Sequence, residues 1–536
     1  MVQSKVLRPE WLPAVALSSA LAVVMLLWSP PVGDLAAQVF RTELFQRAGL
    51  EIWNGSWYGG HYTLTYSVLF PPLAAMLGPQ VVGTLAVVSS AYLFDRLVRD
   101  RWGVEARWAT LWFAAGVVTL LADGQLTFAL GVAFGLASLR CLQLGRSALA
   151  ALAAAACALG SPVAAVFLAG VVLAGALERG RRVSRAALVV AGLALFLTLA
   201  PNLAFPEPGQ FPFVFSSFIA IPLWCAGALY ITRELGEEER QLRRVVVGYL
   251  LAATGIWLIP NALGGNTVRL GALFGGPVLA AVVLSRRPRV PVWFLALVLV
   301  GSLYWQLTAS VTQIARSVGD PATSSAFFEP ATRWLRAHDG AGLRIEVPPT
   351  ANHWESAYLA PDFELARGWL RQLDTTREDI FYDDDKLTPT AYGGWLRDNA
   401  ISYVALPNAP LDYSSAAERR LILREPSYLE LRWQSPHWRI YEVRDPKPLL
   451  EPLGVGAAEI RRVGRQGFAL DVSRPGDFLV RVNFTPYWTI SRGQGCIMRR
   501  GDWTLARAAR PGVLRINADF SLGSAWDAVT GARKTC

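Results

Sequence analysis

The chain contains the charge-free run WLPAVALSSALAVVMLLWS (residues 11–29), followed by Gly33-Asp34-Leu35 and then by Trp53-Asn54-Gly55-Ser56-Trp57-Tyr58-Gly59-Gly60-His61-Tyr62. An apolar run of this length predicts a transmembrane helix, which places Asp34 at a membrane face. Tryptophan and tyrosine rings stack on sugars, and paired glycines let a ligand approach the backbone closely. The stretch therefore predicts a membrane protein that acts on sugars.

The composition extends this prediction to a polytopic α-helical membrane protein. Hydrophobic residues make up 53% of the 536 positions and charged residues only 17%, a balance that long apolar runs produce. We expect about eleven transmembrane helices, near residues 11–29, 68–93, 108–122, 125–141, 147–160, 162–177, 186–202, 213–231, 245–260, 269–284 and 291–309.

The arginines of the short loops predict the orientation, because positively charged loops stay in the cytoplasm. One alternate set of loops holds most of them, whereas the other set offers Arg41, Arg47 and the border residue Arg269. This asymmetry predicts a plasma (inner) membrane protein with a cytoplasmic N-terminus and an extracytoplasmic C-terminal region. It also accounts for most of the net charge of +10, so no nucleic-acid partner is expected.

Three domains are predicted. Residues 1–311 form the transmembrane domain, whose first outer loop spans 30–67. Residues 312–448 alternate helix-like pieces with short strands and predict an α/β domain, and residues 449–536 consist of short strands typical of a β-sandwich. Cys496 and Cys536 both fall in the outer region, where a disulfide between them is permitted.

Asp34 is the first candidate for catalysis, because a carboxylate beside the membrane can accept the proton of an acceptor hydroxyl. Capping of the helix-like stretch after it is the competing reading. The aromatic loop could line a sugar site or form an interfacial belt. Its candidate substrate-binding residues are Trp53, Asn54, Trp57, Tyr58, His61 and Tyr62.

Two further outer loops carry polar residues that are costly at a membrane face. Asp123 and Gln125 could hold sugar hydroxyls, and Asp123 could join Asp34 in binding a metal; a solvated loop acid is the alternative. Arg269 suits a lipid phosphate bidentately, or serves as an interfacial anchor. By contrast, the run Asp383-Asp384-Asp385 is read as a solvated acidic turn.

Several short motifs together resemble the type C glycosyltransferase (GT-C) superfamily. Within it the chain is most similar to bacterial 6-pyruvoyl-tetrahydropterin-synthase-related and YfhO-like membrane proteins. The motifs are Gly33-Asp34, Leu50-Glu51-Ile52-Trp53-Asn54 with Trp57-Tyr58-Gly59-Gly60, Tyr66 before Pro71-Pro72, Gly124-Gln125, the run 395–404, the run 438–443 and the run 483–488.

The resemblance implies an enzyme that transfers a sugar from a polyprenyl-phosphate donor to a cell-envelope glycan or lipid acceptor at the outer face. Asp34 would be the general base, Arg269 would lie near the phosphate, and a divalent cation (Mg²⁺ or Mn²⁺) could take part. Many members carry two adjacent acids where this chain has Gly33-Asp34-Leu35, so Glu43 or Asp123 would supply the second carboxylate, or the site has been lost. The arginine- and alanine-rich composition of a high-GC bacterium favours arabinose or mannose.

Two other functions stay open at this point. A non-catalytic GT-C-like scaffold that binds glycan would explain the single acid at Asp34. A transporter of lipid-linked substrate is the other, although transporters usually show inverted repeats and charges midway through their spans, which this sequence lacks.

Overall fold

The computed structural model describes residues 10–176, 184–207, 209–338 and 344–531. The chain divides into two compact units. The first comprises Met1–Gln38, Tyr66–Leu199 and Gln210–Ala315, and the second Val39–Thr65, Ala200–Gly209 and Arg316–Cys536. The sequence places a boundary near residue 312, close to the start of the last segment. The assignment of 39–65 and 200–209 to the second unit depends on tertiary contacts that no local pattern reveals.

The first unit is helical. Its apolar segments form the helices Leu12–Trp28, Phe70–Leu77, Pro79–Trp102, Arg107–Gly116, Thr119–Ala122, Leu126–Gln143, Ser147–Gly160, Pro162–Ala176, Arg185–Ala204, Phe215–Phe218, Ala220–Thr232, Arg240–Leu258, Val268–Leu270, Gly276–Arg286 and Val292–Ser317. A π-helical turn, Gly271–Gly275, lies between two of them.

Seven helical stretches in the described residues are long and apolar enough to cross a membrane: Pro79–Trp102, Val104–Ala122, Leu126–Gln143, Arg185–Ala204, Phe215–Thr232, Gly264–Arg286 and Val292–Ser317. The pair Leu12–Trp28 and Gly33–Ala48, bent by 77°, would make eight. Every predicted span overlaps one or more helices, for example 68–93, which covers both Phe70–Leu77 and Pro79–Trp102, but several helices are short or carry too much charge. The count of eleven therefore stays a prediction.

The bend after the first helix has a local cause. Ser29 takes a left-handed conformation with φ 44° and ends the helix, and Pro30-Pro31 cannot continue it. The chain resumes as the helix Gly33–Ala48, which carries Asp34 in its first turn. A carboxylate is favourable there because the exposed amide groups give the helix N-terminus a partial positive charge. Asp34 is the second residue of this helix, so it interacts with the helix N-terminus from the first turn and not from the N-cap position that the sequence suggests.

The second unit contains a mixed five-stranded sheet. Its strands run in the order Glu364–Leu365, Arg344–Glu346, Ile401–Pro407, Trp438–Val443 and Leu429–Gln434. The first three are parallel and the last two pair antiparallel. The helices of this part are Ser325–Ala337, Glu355–Tyr358, Arg371–Arg377, Pro389–Asp398 and Ala416–Ile422, so the segment has the predicted α/β character.

Two four-stranded antiparallel sheets follow. One has the order Trp488–Arg492, Gly512–Ala518, Gly467–Arg474 and Ala457–Gly464, and the other Gly495–Arg500, Trp503–Ala508, Gly476–Asn483 and Leu450–Pro452. Alternate residues such as Phe468, Leu470, Phe478 and Val480 share one buried core, as expected for strands with one apolar face. The helix Leu522–Thr530 ends the described chain. Cys496 is disulfide-bonded, and its expected partner Cys536 lies outside the described residues.

Gly60 should be irreplaceable in the second unit. Its φ is 116°, and a Cβ atom built on it would lie 2.2 Å from Cζ2 of Trp53. We expect Gly60→Ala to lower the free energy of unfolding by at least about 1–3 kcal/mol through backbone strain alone, measured by thermal unfolding in detergent. Gly394→Ala is the matched control, since a Cβ there meets open space and should stabilise its helix slightly. Equal melting temperatures for the two variants would contradict this packing.

Candidate functional site

Asp34 and Arg269 face each other in the first unit. The Arg269 Nη2 atom lies 3.9 Å from the Asp34 Oδ2 atom, and both side chains are partly exposed. Residues separated by more than 200 positions in sequence are thus brought together, as the predicted roles of base and phosphate ligand require. At this distance the pair is a loose ion pair rather than a close hydrogen bond.

The loop that carries Asp123 packs directly on the backbone around Asp34. Gly124 has φ +71°, and a Cβ atom on it would lie 2.6 Å from the amide nitrogen of Leu35 and 3.2 Å from the carbonyl carbon of Asp34. Only glycine allows this approach, because it has no Cβ and tolerates positive φ. The motif Gly124-Gln125 therefore has a structural reason, which is to hold the loop against the first turn of the helix that bears Asp34.

Asp123 is the buried acid of this cluster. Its side chain is 7% exposed, and among the described residues its Oδ1 atom has no hydrogen-bond partner. Burial raises the pKa of Asp123 to about 7; Ser310 lowers it, the Asp34 charge raises it, and the Arg269 charge lowers it. The carboxyl is therefore more protonated at neutral pH than that of an exposed aspartate, and one of its oxygens is buried without a hydrogen bond to any described residue.

Arg269 lies in the short helix Val268–Leu270. It follows the turn Gly264–Thr267 and precedes the π-helical turn Gly271–Gly275, a feature that often marks functional sites in helices. Its guanidinium carbon lies 5.4 Å from the centre of the Phe128 ring, which is within cation–π range. Phe128 and Ser310 are members of this cluster that the sequence did not single out, because each is an ordinary residue of an apolar helix.

An apolar cavity of about 790 Å³ adjoins this cluster in the first unit. Phe128 and Leu270 line it, and Arg269 contacts the first and is bonded to the second. The cavity follows the helix Leu126–Gln143 from Phe128 to Gln143, which is about 22 Å at 1.5 Å per residue. Its shape and apolar walls suit a long hydrocarbon chain whose polar head lies at Arg269.

Gln125 and Tyr66 lie at the same helix start. Gln125 is partly buried and directly precedes the helix Leu126–Gln143. The Thr127 hydroxyl donates a hydrogen bond of 3.2 Å to the Tyr66 hydroxyl. Gln125 lies in the same short loop as Asp123, and the structure brings together three of the predicted site residues, namely Asp34, Asp123 and Arg269.

The aromatic loop takes a different position, because its predicted sugar-binding side chains are buried in the second unit. Trp53 packs edge-on against Trp488 and Tyr62, and Trp57 stacks between Phe40 and His61. All six candidates, Trp53, Asn54, Trp57, Tyr58, His61 and Tyr62, are among the buried residues. A buried ring offers no face to a sugar, so this placement does not support the binding role expected from the sequence.

Hydrogen bonds explain why the loop is buried. The Asn483 Nδ2 atom donates to the carbonyl oxygens of Tyr58 and Gly60 at 2.7 and 2.9 Å. On the other side, the Tyr58 amide donates to the Leu365 carbonyl and the Leu365 amide to the Ser56 carbonyl. The loop thus adds to the five-stranded sheet and the β-sandwich at once. Burial, together with the charges of Arg41 and Arg377, lowers the pKa of His61 to about 3, so this imidazole stays neutral.

Two expectations from the sequence concern the carboxylates near Asp34, namely a second acidic residue and a bound divalent cation. Glu43 pairs with Arg47 at 3.1 Å in the second unit, whereas Asp123 adjoins Asp34, so Asp123 is the acid that accompanies the candidate base. Within the described ranges, no three His, Cys, Asp or Glu side chains converge on one point. Asp34 and Asp123 supply two carboxylates, and Mg²⁺ is usually bound through one or two carboxylates, with waters and substrate phosphates as its other ligands. A Mg²⁺ or Mn²⁺ requirement stays a prediction.

Comparisons with known proteins give limited similarity. No protein-family model matches the chain. A curated protein, G-protein coupled bile acid receptor 1 of Rattus norvegicus, is 28% identical over 176 residues, which cover 30% of this chain and 51% of that protein. The chain thus spans about half the length of the curated relative it matches. Among solved structures it is similar to the archaeal oligosaccharyltransferase AglB from Archaeoglobus fulgidus in complex with an inhibitory peptide and a dolichol-phosphate. That likeness has a TM-score of 0.44 at 12% identity, covering 74% of this chain and 69% of that chain.

The raised pKa of Asp123 predicts a pH-dependent stability. An unfolded aspartate has a pKa near 3.9, so between about pH 4 and pH 7 the folded chain keeps a proton that the unfolded chain has released. The free energy of unfolding should therefore fall as pH rises through this window and level off above it.

Thermal unfolding in detergent at pH 5 and pH 7.5 measures this effect. Between pH 5 and pH 7.5 we expect the melting temperature of the unchanged chain to fall by several degrees relative to that of Asp123→Asn, since the amide cannot ionise. Asp384→Asn, at a side chain that is 80% exposed, is the control and should track the unchanged chain. A constant difference between Asp123→Asn and the unchanged chain at both pH values would show that Asp123 does not titrate in this range.

Proposed function

We propose that the chain is a membrane glycosyltransferase that moves a sugar from a polyprenyl-phosphate carrier to a hydroxyl of a cell-envelope glycan or lipid. The observation that carries the proposal is the meeting of Asp34, Asp123 and Arg269 beside Phe128, which lines one end of the apolar cavity. A lipid-linked sugar has parts that match this site, namely a hydrocarbon chain for the cavity, and a phosphate and a polar sugar ring for the charged cluster. The resemblance of the motifs to GT-C enzymes points in the same direction.

Arg269 is assigned to the phosphate of the donor. A guanidinium presents a planar fork of donors that matches two phosphate oxygens, and the stacking on Phe128 orients this fork beside the cavity. In the resting chain the guanidinium faces Asp34 at 3.9 Å. A bound phosphate would compete for Arg269 and leave the Asp34 carboxylate facing the acceptor.

Asp34 is assigned the role of general base. It removes the proton of the acceptor hydroxyl while the hydroxyl oxygen bonds to the anomeric carbon of the sugar. The bond between that carbon and the phosphate oxygen breaks, and its electron pair leaves with the polyprenyl phosphate, whose charge Arg269 stabilises. A direct displacement of this kind inverts the anomeric configuration.

Asp123 is assigned to the sugar rather than to proton transfer from the acceptor. Its unpartnered Oδ1 atom can accept a sugar hydroxyl, and Gln125 in the same loop adds an amide. Two carboxylates in environments this different are suited to different tasks. Arabinose or mannose as the sugar and the outer face of the plasma membrane as the location remain part of the proposal, the latter supported by the distribution of loop arginines.

Sugar transfer in nanodiscs tests the proposal. Synthetic polyprenyl-phosphate arabinose and mannose serve as donors, and membrane lipid from the host as acceptor. We expect Asp34→Asn, which lacks the base, to transfer sugar about 10²–10⁴-fold more slowly than the unchanged chain. The variant should bind the same amount of donor. Glu43→Gln is the matched control, because Glu43 lies on the same helix and pairs only on the surface with Arg47, and it should keep full activity.

The same assay separates binding from chemistry. We expect Arg269→Gln to raise the KM for the donor and to reduce the polyprenyl phosphate that co-purifies, with a smaller loss for Arg269→Lys, which keeps the charge but not the fork. Equal activity of Asp34→Asn and the unchanged chain would refute Asp34 as base. Absence of transfer from either donor, with no co-purifying polyprenyl phosphate, would favour the scaffold or transporter functions.

A further inference from the structure

A polar groove of about 800 Å³ lies wholly within the second unit, a volume in the usual range for small-molecule sites. We call it the basic groove. Its walls come from the end of the helix Gly33–Ala48, the loop around Pro361 and the outward face of one sandwich sheet. The charged residues that line it are Arg47, Glu51, Asp362, Glu364, Arg461, Arg465 and Arg515, of which Asp362 and Glu364 already pair with Arg336 and Arg344. None of them belongs to the Asp34 cluster.

The floor of the basic groove is made of small residues. Gly467 and Ala469 point outward on the strand Gly467–Arg474, while the alternating Phe468 and Leu470 point into the sandwich core. On the neighbouring strand Asn517 pairs with Gly467 and Arg515 with Ala469. A floor without bulky side chains, flanked by long polar ones, leaves a channel across the sheet.

Two arginines of the groove, Arg465 and Arg515, make no ion pair with an acid in the described part of the chain, although the charges of Glu51, Glu43 and Asp362 act on Arg465. In the described part of the chain, the Arg515 guanidinium has no hydrogen bond or ion pair, and Arg465 donates only to the Pro361 carbonyl at 3.3 Å. Burial and the charge of Arg47 lower the pKa of Arg465. Arg47 and Arg461 are already paired, with Glu43 and Asp471. An anion in the groove would relieve the crowding of positive charge.

Glu51 adds a requirement that a simple anion does not meet. Its side chain is 7% exposed, and its Oε2 atom is without a hydrogen-bond partner among the described residues. Gln466 and Arg465 lie beside it. A carboxyl oxygen repels an anion but accepts a hydroxyl, so a matching ligand carries both an acidic group and neighbouring hydroxyls.

We propose that the basic groove binds an acidic saccharide, a sugar that bears a carboxylate or a phosphate. Arg465 and Arg515 hold the acidic group, and the Glu51 carboxyl, which lines the groove, accepts a ring hydroxyl. The residues of the basic groove all belong to the second unit, so the proposal does not depend on the catalytic one. A chain without transferase activity would still bind an acidic saccharide in the groove.

Calorimetric titration of the full chain in nanodiscs tests the groove. The probes are trigalacturonic acid, a phosphorylated trisaccharide, neutral maltotriose and inorganic phosphate. We expect one or both acidic sugars to bind in a salt-dependent manner, and affinity to fall about tenfold or more in Arg465→Gln and in Arg515→Gln. Arg499→Gln, at an exposed arginine on the other sheet of the sandwich, removes the same charge and should bind normally.

Three outcomes would overturn the proposal. They are equal binding of maltotriose and the acidic sugars, binding of inorganic phosphate as tight as that of the saccharides, and an equal loss in Arg499→Gln. Glu51→Gln is a second check that does not alter the arginines, and it should weaken the saccharides more than inorganic phosphate. Transfer activity is measured separately, so a failed groove and a failed active site give different results.

A second surface, independent of the basic groove, lies on the helix Leu522–Thr530. Leu522, Trp526 and Val529 are 82%, 69% and 53% exposed and share one face at the spacing i, i+4, i+7. On the opposite face Ala525 and Ala528 pack on the sandwich core. The helix thus shows an apolar stripe to its surroundings, which is unusual for a protein surface in water.

Contacts within the second unit place the start of this helix beside the end of a candidate membrane span. The Phe520 ring lies 6.1 Å from the Phe205 ring and stacks on Tyr487. Phe205 directly follows the helix Arg185–Ala204, and the Tyr487 hydroxyl donates to the Ala204 carbonyl at 2.6 Å. We infer that the stripe lies in the bilayer interface, where tryptophan and apolar helix faces are favoured.

Spin labels in lipid nanodiscs test this placement in a chain that also carries Cys141→Ser. We expect a label at Trp526→Cys to be more accessible to oxygen than to a water-soluble nickel chelate, as a label at Leu297→Cys on the span Val292–Ser317 should be. A label at Asp384→Cys should show the aqueous pattern. The inference fails if the label at Trp526→Cys matches the aqueous pattern, or if spin–spin broadening shows a second copy of the chain on the stripe.

Discussion

The backbone contact between Gly124 and the first turn of the helix Gly33–Ala48 is the constraint on which the candidate site depends. A side chain at residue 124 would separate the two segments, since its Cβ would lie 2.6 Å from the Leu35 amide. With glycine there, the loop seats the Asp123 carboxyl beside Asp34. Two like charges at one membrane face would repel each other, and the buried position of Asp123 removes part of that cost because the carboxyl is partly protonated at neutral pH.

The apolar cavity beside this polar cluster limits the kind of substrate that could contact both. Charged groups next to a bilayer are costly unless a ligand or a partner uses them, and Arg269 both faces Asp34 and contacts Phe128, which lines an apolar cavity about 22 Å long. A water-soluble sugar donor would have no use for such a cavity. The arrangement would suit a substrate with a hydrocarbon tail and an acidic head, and the proposal of a lipid-phosphate donor rests on this match.

The aromatic loop shows how a recognisable pattern can serve packing instead of binding. Trp53, Trp57 and Tyr62 lie in cores or ring stacks, and Asn483 binds the loop backbone from the sandwich side. The paired Gly59 and Gly60 are needed because both take positive φ and because Gly60 lies against the Trp53 ring. The loop therefore joins the α/β sheet to the sandwich, and ligand binding in this unit is assigned to the basic groove.

The sequence by itself determined the helices of the apolar segments, the α/β and β-sandwich character of the C-terminal region, and the polar residues worth attention at the membrane face. These features are local, since an apolar run or an alternating strand declares itself within a few residues. The tertiary structure alone decided that Asp123 rather than Glu43 accompanies Asp34, that Phe128 and Ser310 complete the cluster, and that the aromatic loop is buried. Each of these depends on contacts between residues far apart in the chain, where packing and desolvation, not local pattern, set the outcome.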